Sequence, residues 1–438
     1  MSRTLLRGGC VLTLGAKTPN FMNADVLIED DRIVEVGEGL RSRDAEVVDA
    51  TDTVVMPGFI DSHRHVWRSL FRNFGDAGSA AMSRDVGAFH EPDDIYAATL
   101  VGLLGAIECG TTTVVDWSDI PVGDAFVDAA IQAHADAGLR TVYIAAPPTW
   151  AGTESGDLAT IRRVNSAAGG QMSIAHGSGP SLRRDTIDTI SSEWVEARNL
   201  GVRIHTHAGA GPTDGGAVVD LKTRGLLGDD VTLIHCSHLS GPDLDAIESA
   251  GAGVILTPST EMTDGMGAPP VQALLDHGID FGLGVDNVTE APSDIFAQMR
   301  ATISLQHATF FDLKLAGKAG LPNMMTTRSS IKQATIHGAT AVGLGDVTGS
   351  LEPGKQADII MLRTDRPNIL PVNDPIGAVV WGMDTSNLDS VFVAGRALMS
   401  NGVLAGDVSR ARSLADAAFR RVASSAGLLT DTTTGGGS

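Results

Sequence analysis

The chain runs to 438 residues, 43% apolar and 19% charged, with 51 glycines and only 2 tyrosines. That is too long for one small core and suits a domain of about 250 residues or more joined to a smaller one. A formal charge of −21, from 53 acidic against 32 basic residues, argues against nucleic acid and anionic membrane as partners, and three scattered cysteines with no C-x-x-C pair argue against a disulfide framework or thiolate zinc site and fit a reducing, cytoplasmic setting.

The stretch Met1 to Leu14 has two arginines but no long apolar core, so it reads as a strand rather than a signal peptide. No apolar run reaches the roughly 20 residues needed to span a bilayer. Alternation with period two then marks short strands at 9–14, 24–28, 32–36 and 45–50. A similar pattern returns at 357–362, 391–395 and 402–404. Two β-rich ends around a different middle predict one small β-sandwich domain built from residues 1–55 and 346–406.

The middle, 56–345, alternates. Apolar runs at 54–60, 112–116, 141–146, 172–176, 202–207, 231–235, 253–257 and 281–286 are separated by helix-like stretches such as 93–108, 185–199, 244–250 and 271–277. Several of these end in glycine just before the next run, at Gly201, Gly251 and Gly278. Eight strands alternating with helices over about 230 residues predict an α/β fold, a (β/α)8 TIM barrel. The competing doubly wound sheet lacks a G-x-G-x-x-G at its first βα turn. Three more helical stretches follow at 293–317, 326–341 and 409–424. Residues 407–438 read as a C-terminal helix and a Gly/Thr/Ser-rich disordered tail.

His63-Arg64-His65 closes the first run, and residues i and i+2 of a strand share a side, so both imidazoles can meet one ion. Alone, an H-x-H is weak. Here His205-Thr206-His207 ends the fifth run, His235-Cys236-Ser237-His238 the sixth and Asp286 the eighth, and in a barrel these ends open on one face. Imidazole and carboxylate suit Zn²⁺ or Fe²⁺. His90, His134, His277, His307 and His337 lie in helix-like or loop stretches, as surface or packing residues. His176, ending the fourth run, either lines the pocket or is structural.

Three segments carry a resemblance over nearly the whole length to the amidohydrolase superfamily, in its cytosine deaminase and triazine hydrolase branch. They are Met56-Pro57-Gly58-Phe59-Ile60-Asp61-Ser62-His63-Arg64-His65, Leu283-Gly284-Val285-Asp286, and Gly349-Ser350-Leu351-Glu352-Pro353-Gly354-Lys355-Gln356-Ala357-Asp358. The resemblance implies one divalent metal ion, zinc before iron, bound by His63, His65, His207 and Asp286. It implies that His235 contacts the substrate or its leaving group, and that Asp286 also takes a proton from water on the ion. It implies hydrolysis of a C–N bond in a small, heterocyclic substrate, deamination being the simplest case. Barrels of this kind often form homodimers or higher homo-oligomers.

One position departs from the branch. The strand-five histidine is usually followed three residues later by a glutamate that carries protons to the leaving amine; here that position is Ala210. Either another group replaces it or the reaction needs no such transfer, which keeps open a metal-dependent lyase, dehydratase or isomerase. Glu261, just after the seventh run, His238 and His205 are the candidates, with Glu261 read more readily as a solvated loop residue. No lysine stands in the fourth run to bridge two metals. Trp67 is either an aromatic wall of the pocket or packing beneath the next loop. Arg68 and Arg72 either meet an anionic group or pair with surface carboxylates. The glycine-bearing segment Phe71 to Pro92 has the length of a lid.

Overall fold

Residues 2–73, 79–153, 156, 158–165, 170–211, 215–289 and 291–429 are described by the computed structural model. Part of the lid segment and the Gly/Thr/Ser-rich tail lie outside these residues. The period-two alternation at the start becomes β1 (Arg3–Val11), β2 (Phe21–Glu29), β3 (Arg32–Gly37), β4 (Glu46–Asp49) and β5 (Thr53–Pro57). The middle supplies β6 (Phe59–Arg64), β7 (Thr111–Ser118), β8 (Arg140–Ala145), β9 (Met172–Leu182), β10 (Arg203–Ala208), β11 (Val231–His235), β12 (Gly253–Leu256) and β13 (Gly282–Leu283). The end adds β14 (Ile359–Arg363), β15 (Leu388–Val393), β16 (Arg396–Ser400) and β17 (Val403–Leu404).

Strands β6 to β13 pair in sequence order, each parallel to the next, in one eight-stranded sheet. Helices such as Pro92–Glu108, Asp124–Ala137, Ile187–Asn199 and Gly241–Ala250 connect them. The helix Pro92–Glu108 starts sharply because Pro92 occupies its first turn and Glu91 and Asp94 cap each other's backbone. The barrel closes where β13 returns to β6. Beyond the short β13, the seam is made by a parallel bridge between Arg64 and Asp286, by His65 N donating to Asp286 O and by Asp286 N donating to His63 O. The Asp61 carboxylate adds to it by accepting from Val285 N at 2.9 Å. This is a TIM barrel. Among the described residues, no helix is long and apolar enough to cross a membrane.

The run 54–60, read as one strand, divides at Gly58. Its first half, β5, pairs with β14 and β1, and its second half opens the barrel. A side chain at Gly58 would meet Thr112 at 2.1 Å, so the chain crosses between the sheets where only glycine fits. Strands from both ends form a nine-stranded mixed sheet in the order β17-β16-β15-β14-β5-β1-β2-β3, with β4 beside β1. It has its own core of Leu6, Val11, Val26, Ile28, Val55, Ile359 and Met361. Asp358 ties it to the barrel by accepting two hydrogen bonds from Arg140 at the start of β8, at 2.7 and 3.1 Å. Such a buried fork-to-fork pair fixes orientation as well as distance.

Inside the barrel, Val115, Val142, Ile144, Ala175, Ile234 and Ile255 fill the centre as packed layers. The seam tolerates no extra atom. A Cβ on Gly284 would lie 2.7 Å from both His63 N and His63 O, so the backbone itself would have to move. Gly284→Ala is therefore expected to destabilise the protein by about 1–3 kcal/mol, read as a lower urea midpoint at unchanged slope. A midpoint equal to wild type would show that the seam is looser than these distances require.

Candidate active site

His63 stands near the end of β6 and His65 just past it, so both reach the mouth of the barrel. His207 arrives from the same position on β10, and Asp286 from the residues that complete the seam after β13. Their donor atoms converge: His63 Nε2 lies 3.3 Å from His207 Nε2 and 3.5 Å from Asp286 Oδ1, and His65 Nε2 lies 3.4 Å from Asp286 Oδ1. Two groups, His63 with His65 and His207, and His63 with His235 and Asp286, each bring three ligand atoms within 4.8 Å of one another.

The donor set fits a divalent cation. Burial lowers the pKa of His63 to about 4, despite the pull of Asp286, and puts that of His207 well below the ordinary value, so both rings present lone pairs. Two neutral imidazole nitrogens facing each other cannot both donate. Asp286 Oδ2 is buried without a hydrogen-bond partner. Burial opposes charge on Asp286, but the facing imidazoles of His63, His235 and His65 hold the carboxyl well below the usual carboxylate range. Convergent lone pairs around an ionised, under-satisfied carboxylate are unfavourable unless a cation completes them.

Asp286 and His235 both adopt left-handed backbone, at φ 64° and 76°. Non-glycine residues held there cost of order 1–3 kcal/mol, and both lie among the groups that face the centre. His235 stacks on His207, with ring centroids 5.2 Å apart, and its Nε2 is 4.0 Å from Asp286 Oδ2. Its Nδ1 faces Glu261 Oε1 at 3.2 Å and Thr257 Oγ1 at 3.1 Å.

Glu261 is not a solvated loop residue. Pro258 starts a short helix, Pro258–Thr263, directly after β12, and the turn folds Glu261 back until its carboxylate accepts from Thr257 N at 2.7 Å. It is fully buried. Burial alone would lower the His235 pKa, but the hydrogen bond to Glu261 and the charge of Asp286 outweigh it, and the net shift is upward. Burial also raises Glu261, against the pull of His235.

Four expected site residues lie elsewhere. Trp67 is buried beneath the mouth, because at Val66 the strand gives way to a 3-10 helix, Val66–Phe71, and alternation stops. Its Nε1 donates to Asp119 Oδ1 at 2.7 Å. Trp117 and Trp150 line the cavity instead. The strand carrying His176 runs on to Leu182, so this histidine sits in mid-strand, fully buried, 3.7 Å from Glu193, and does not line the cavity. His238 is exposed in the turn after β11, its amide donating to Gly209 O. His205 lies fully buried one step below His207, with both ring nitrogens unpartnered.

Arg68 does line the cavity, but its guanidinium is engaged: Nη2 donates to Asp119 Oδ2 at 2.7 Å and Nη1 to Asn287 Oδ1 at 2.8 Å. Asp119 was not expected at the site. It follows β7, whose expected end at Asp116 falls short of the real one at Ser118, and an acidic residue just past a barrel strand was the available signal. The cavity, about 300 Å³, is also lined by Ala210, Asp264 and Met266.

A sequence model described as the amidohydrolase family matches residues 54–398. The chain is similar to the 5-methylthioadenosine/S-adenosylhomocysteine deaminase of Acetivibrio thermocellus, 26% identical over 430 residues that cover 91% of this chain and 94% of that protein. It is similar to the 5'-deoxyadenosine deaminase of Methanosarcina acetivorans, 27% identical over 427 residues, covering 92% and 94%. Among solved structures it superposes on the atrazine chlorohydrolase of Arthrobacter aurescens TC1 complexed with zinc, with a TM-score of 0.82, 23% identity, and coverage of 95% and 100%.

Proposed function

The chain belongs to the amidohydrolase family, and from that premise we propose that it is a zinc-dependent deaminase of a small aromatic heterocycle, with His63, His65, His207 and Asp286 holding one ion. The observation that carries this is the convergence of those four side chains, with His65, His207 and Asp286 lining one cavity and His63 buried behind them, beside the His235–Glu261 pair. Relatives named as deaminases of adenosine-type nucleosides support hydrolysis of a ring C–N bond. Trp117 and Trp150 offer flat apolar walls suited to a planar ring. Zinc accompanies the structural neighbour. Three free cysteines support a reducing, cytoplasmic setting, and a homodimer remains the assembly to test by sedimentation.

A divalent ion held by these residues supplies Lewis acidity and lowers the pKa of a coordinated water toward about 7. The chain's own residues do the rest. Asp286 Oδ2, free of hydrogen bonds, accepts the proton released as the ring carbon is attacked. His235, kept protonated by Glu261, donates from Nε2 to the charge that develops on the ring. His235 then gives its Nε2 proton to the leaving amine, and the proton held by Asp286, whose Oδ2 is 4.0 Å away, returns to His235. Proton transfer is thus confined to Asp286, His235 and Glu261, and Ala210 needs no equivalent.

Ammonia release across a panel of purines, adenosine-type nucleosides, pyrimidines, pterins and triazines tests the assignment; no ammonia from any ring amine would overturn it. Ala210→Glu tests the proton path. With the path already complete, this variant should keep wild-type turnover within about tenfold, well short of the 10²- to 10⁴-fold that a missing acid–base group contributes. A rise of a hundredfold or more in ammonia release would show that the wild type lacks its proton carrier.

A further inference from the structure

We propose that Arg68, Asp119 and Asn287 form a closed polar ring around two of the four ligands and set the protein's affinity for its ion; this rests on the ligand assignment made above. Asp119 Oδ1 faces His65 Nδ1 at 2.9 Å. An ionised carboxylate can only accept, so His65 must carry its proton on Nδ1 and present the Nε2 lone pair toward Asp286. On the other side, Asn287 Nδ2 donates to Asp286 Oδ1 at 2.8 Å, which fixes the rotation of that carboxylate. The Asn287 amide cannot flip, because its oxygen accepts from Arg68 Nη1 at 2.8 Å. Arg68 closes the ring through Nη2 to Asp119 Oδ2 at 2.7 Å.

The path therefore runs His65, Asp119, Arg68, Asn287, Asp286, and back to His65 across the 3.4 Å separation of Nε2 and Oδ1. Arg68 and Asp119 are only 8% and 2% exposed, so little solvent competes with these bonds. Their charges cancel, which leaves the charge of Asp286 for the ion. A planar guanidinium presents a separate nitrogen donor to each acceptor in a fixed fork. His63 and His207 are held differently. His63 Nδ1 has no hydrogen-bond partner, and the His207 ring is packed edge-on against Trp117 at 4.2 Å. Orientation by polar partners falls on His65 and Asp286, and there the ring acts. Arg68, Asp119 and Asn287 are positioning residues rather than contacts of the reacting atoms.

Zinc affinity, measured on the full chain by equilibrium competition with a chelator and by elemental analysis, tests the ring. Asp119→Asn and Arg68→Met should each weaken zinc retention about 10- to 100-fold, as loss of such outer partners does. Because either change opens the same ring, the double variant should lose little more than one single variant. Should the Asp119 variant fail to fold, Asn287→Ala opens the ring without disturbing Trp67 and should show a loss in the same range. Wild-type affinity in the folded single variants, or losses that add in full, would overturn the proposal. His63→Ala separates the two levels: if it loses zinc while the ring variants keep it, only the ring is wrong, and if it keeps zinc, the ligand assignment fails first.

Discussion

His63→Ala is expected to lose the ion and, with it, all measurable turnover. His63 touches every other member of the cluster: its Nε2 is 3.3 Å from His207 and 3.5 Å from Asp286, and its ring stands edge-on to His65 with centroids 5.1 Å apart. Removing it leaves three ligands around a widened space lined by a buried anion. A bound ion contributes several kcal/mol to stabilising charge in the transition state, so a loss of at least about a thousandfold, or ~4 kcal/mol, is the least to expect. Metal per chain by elemental analysis and ammonia release by a coupled assay measure the two effects. A variant that kept its metal would refute the site itself.

Glu261→Gln is expected to keep the ion and lose about a hundred- to a thousandfold in turnover, the range for a proton-transfer group. Glu261 touches His235 and Thr257 but no proposed ligand, so metal content should not change. The pH dependence separates this from simple misfolding. The carboxylate raises the pKa of His235 above its ordinary 6.5, so His235 is protonated below that raised value and loses its proton as pH rises through it. Glutamine removes the charge, and burial then lowers the pKa. Activity that depends on protonated His235 should therefore fall away at a lower pH in the variant than in the wild type. Profiles of kcat/KM with identical alkaline limbs would rule out a charged partnership between these two residues.

The barrel, and the meeting of the histidines at its mouth, were legible in the sequence from one physical rule: side chains of a strand alternate, and parallel strands with helical crossovers all end on one face; the proposed ligand set came from the family resemblance. That rule brings His63, His65 and His207 to one face. Asp286 was legible as the last residue of an apolar run, although the regular strand there is only Gly282–Leu283 and its backbone turns left-handed. The same rule failed wherever a strand ended early or late. Trp67 falls under the mouth because the chain coils at Val66, and His176 is swallowed because its strand continues past it. Asp119 and Asn287 act through hydrogen bonds to residues 54 positions away and one position away respectively, and neither belongs to a spacing motif. Glu261 could be named as an acid near the mouth, but only the fold of the Thr257–Glu261 turn decides between solvent and His235.

The seam of the barrel is also the seam of the site. Two of the proposed ligands, His63 and His65, lie within and just after the first barrel strand, and Asp286 follows the last; the backbone bonds that join them are the ones that shut the ring. During synthesis the two histidines emerge early and the aspartate more than two hundred residues later. A chain released before that point has imidazoles but neither the carboxylate ligand nor the closed wall behind them. The proposed site is thus complete only once the last barrel strand and the residues after it have joined the first.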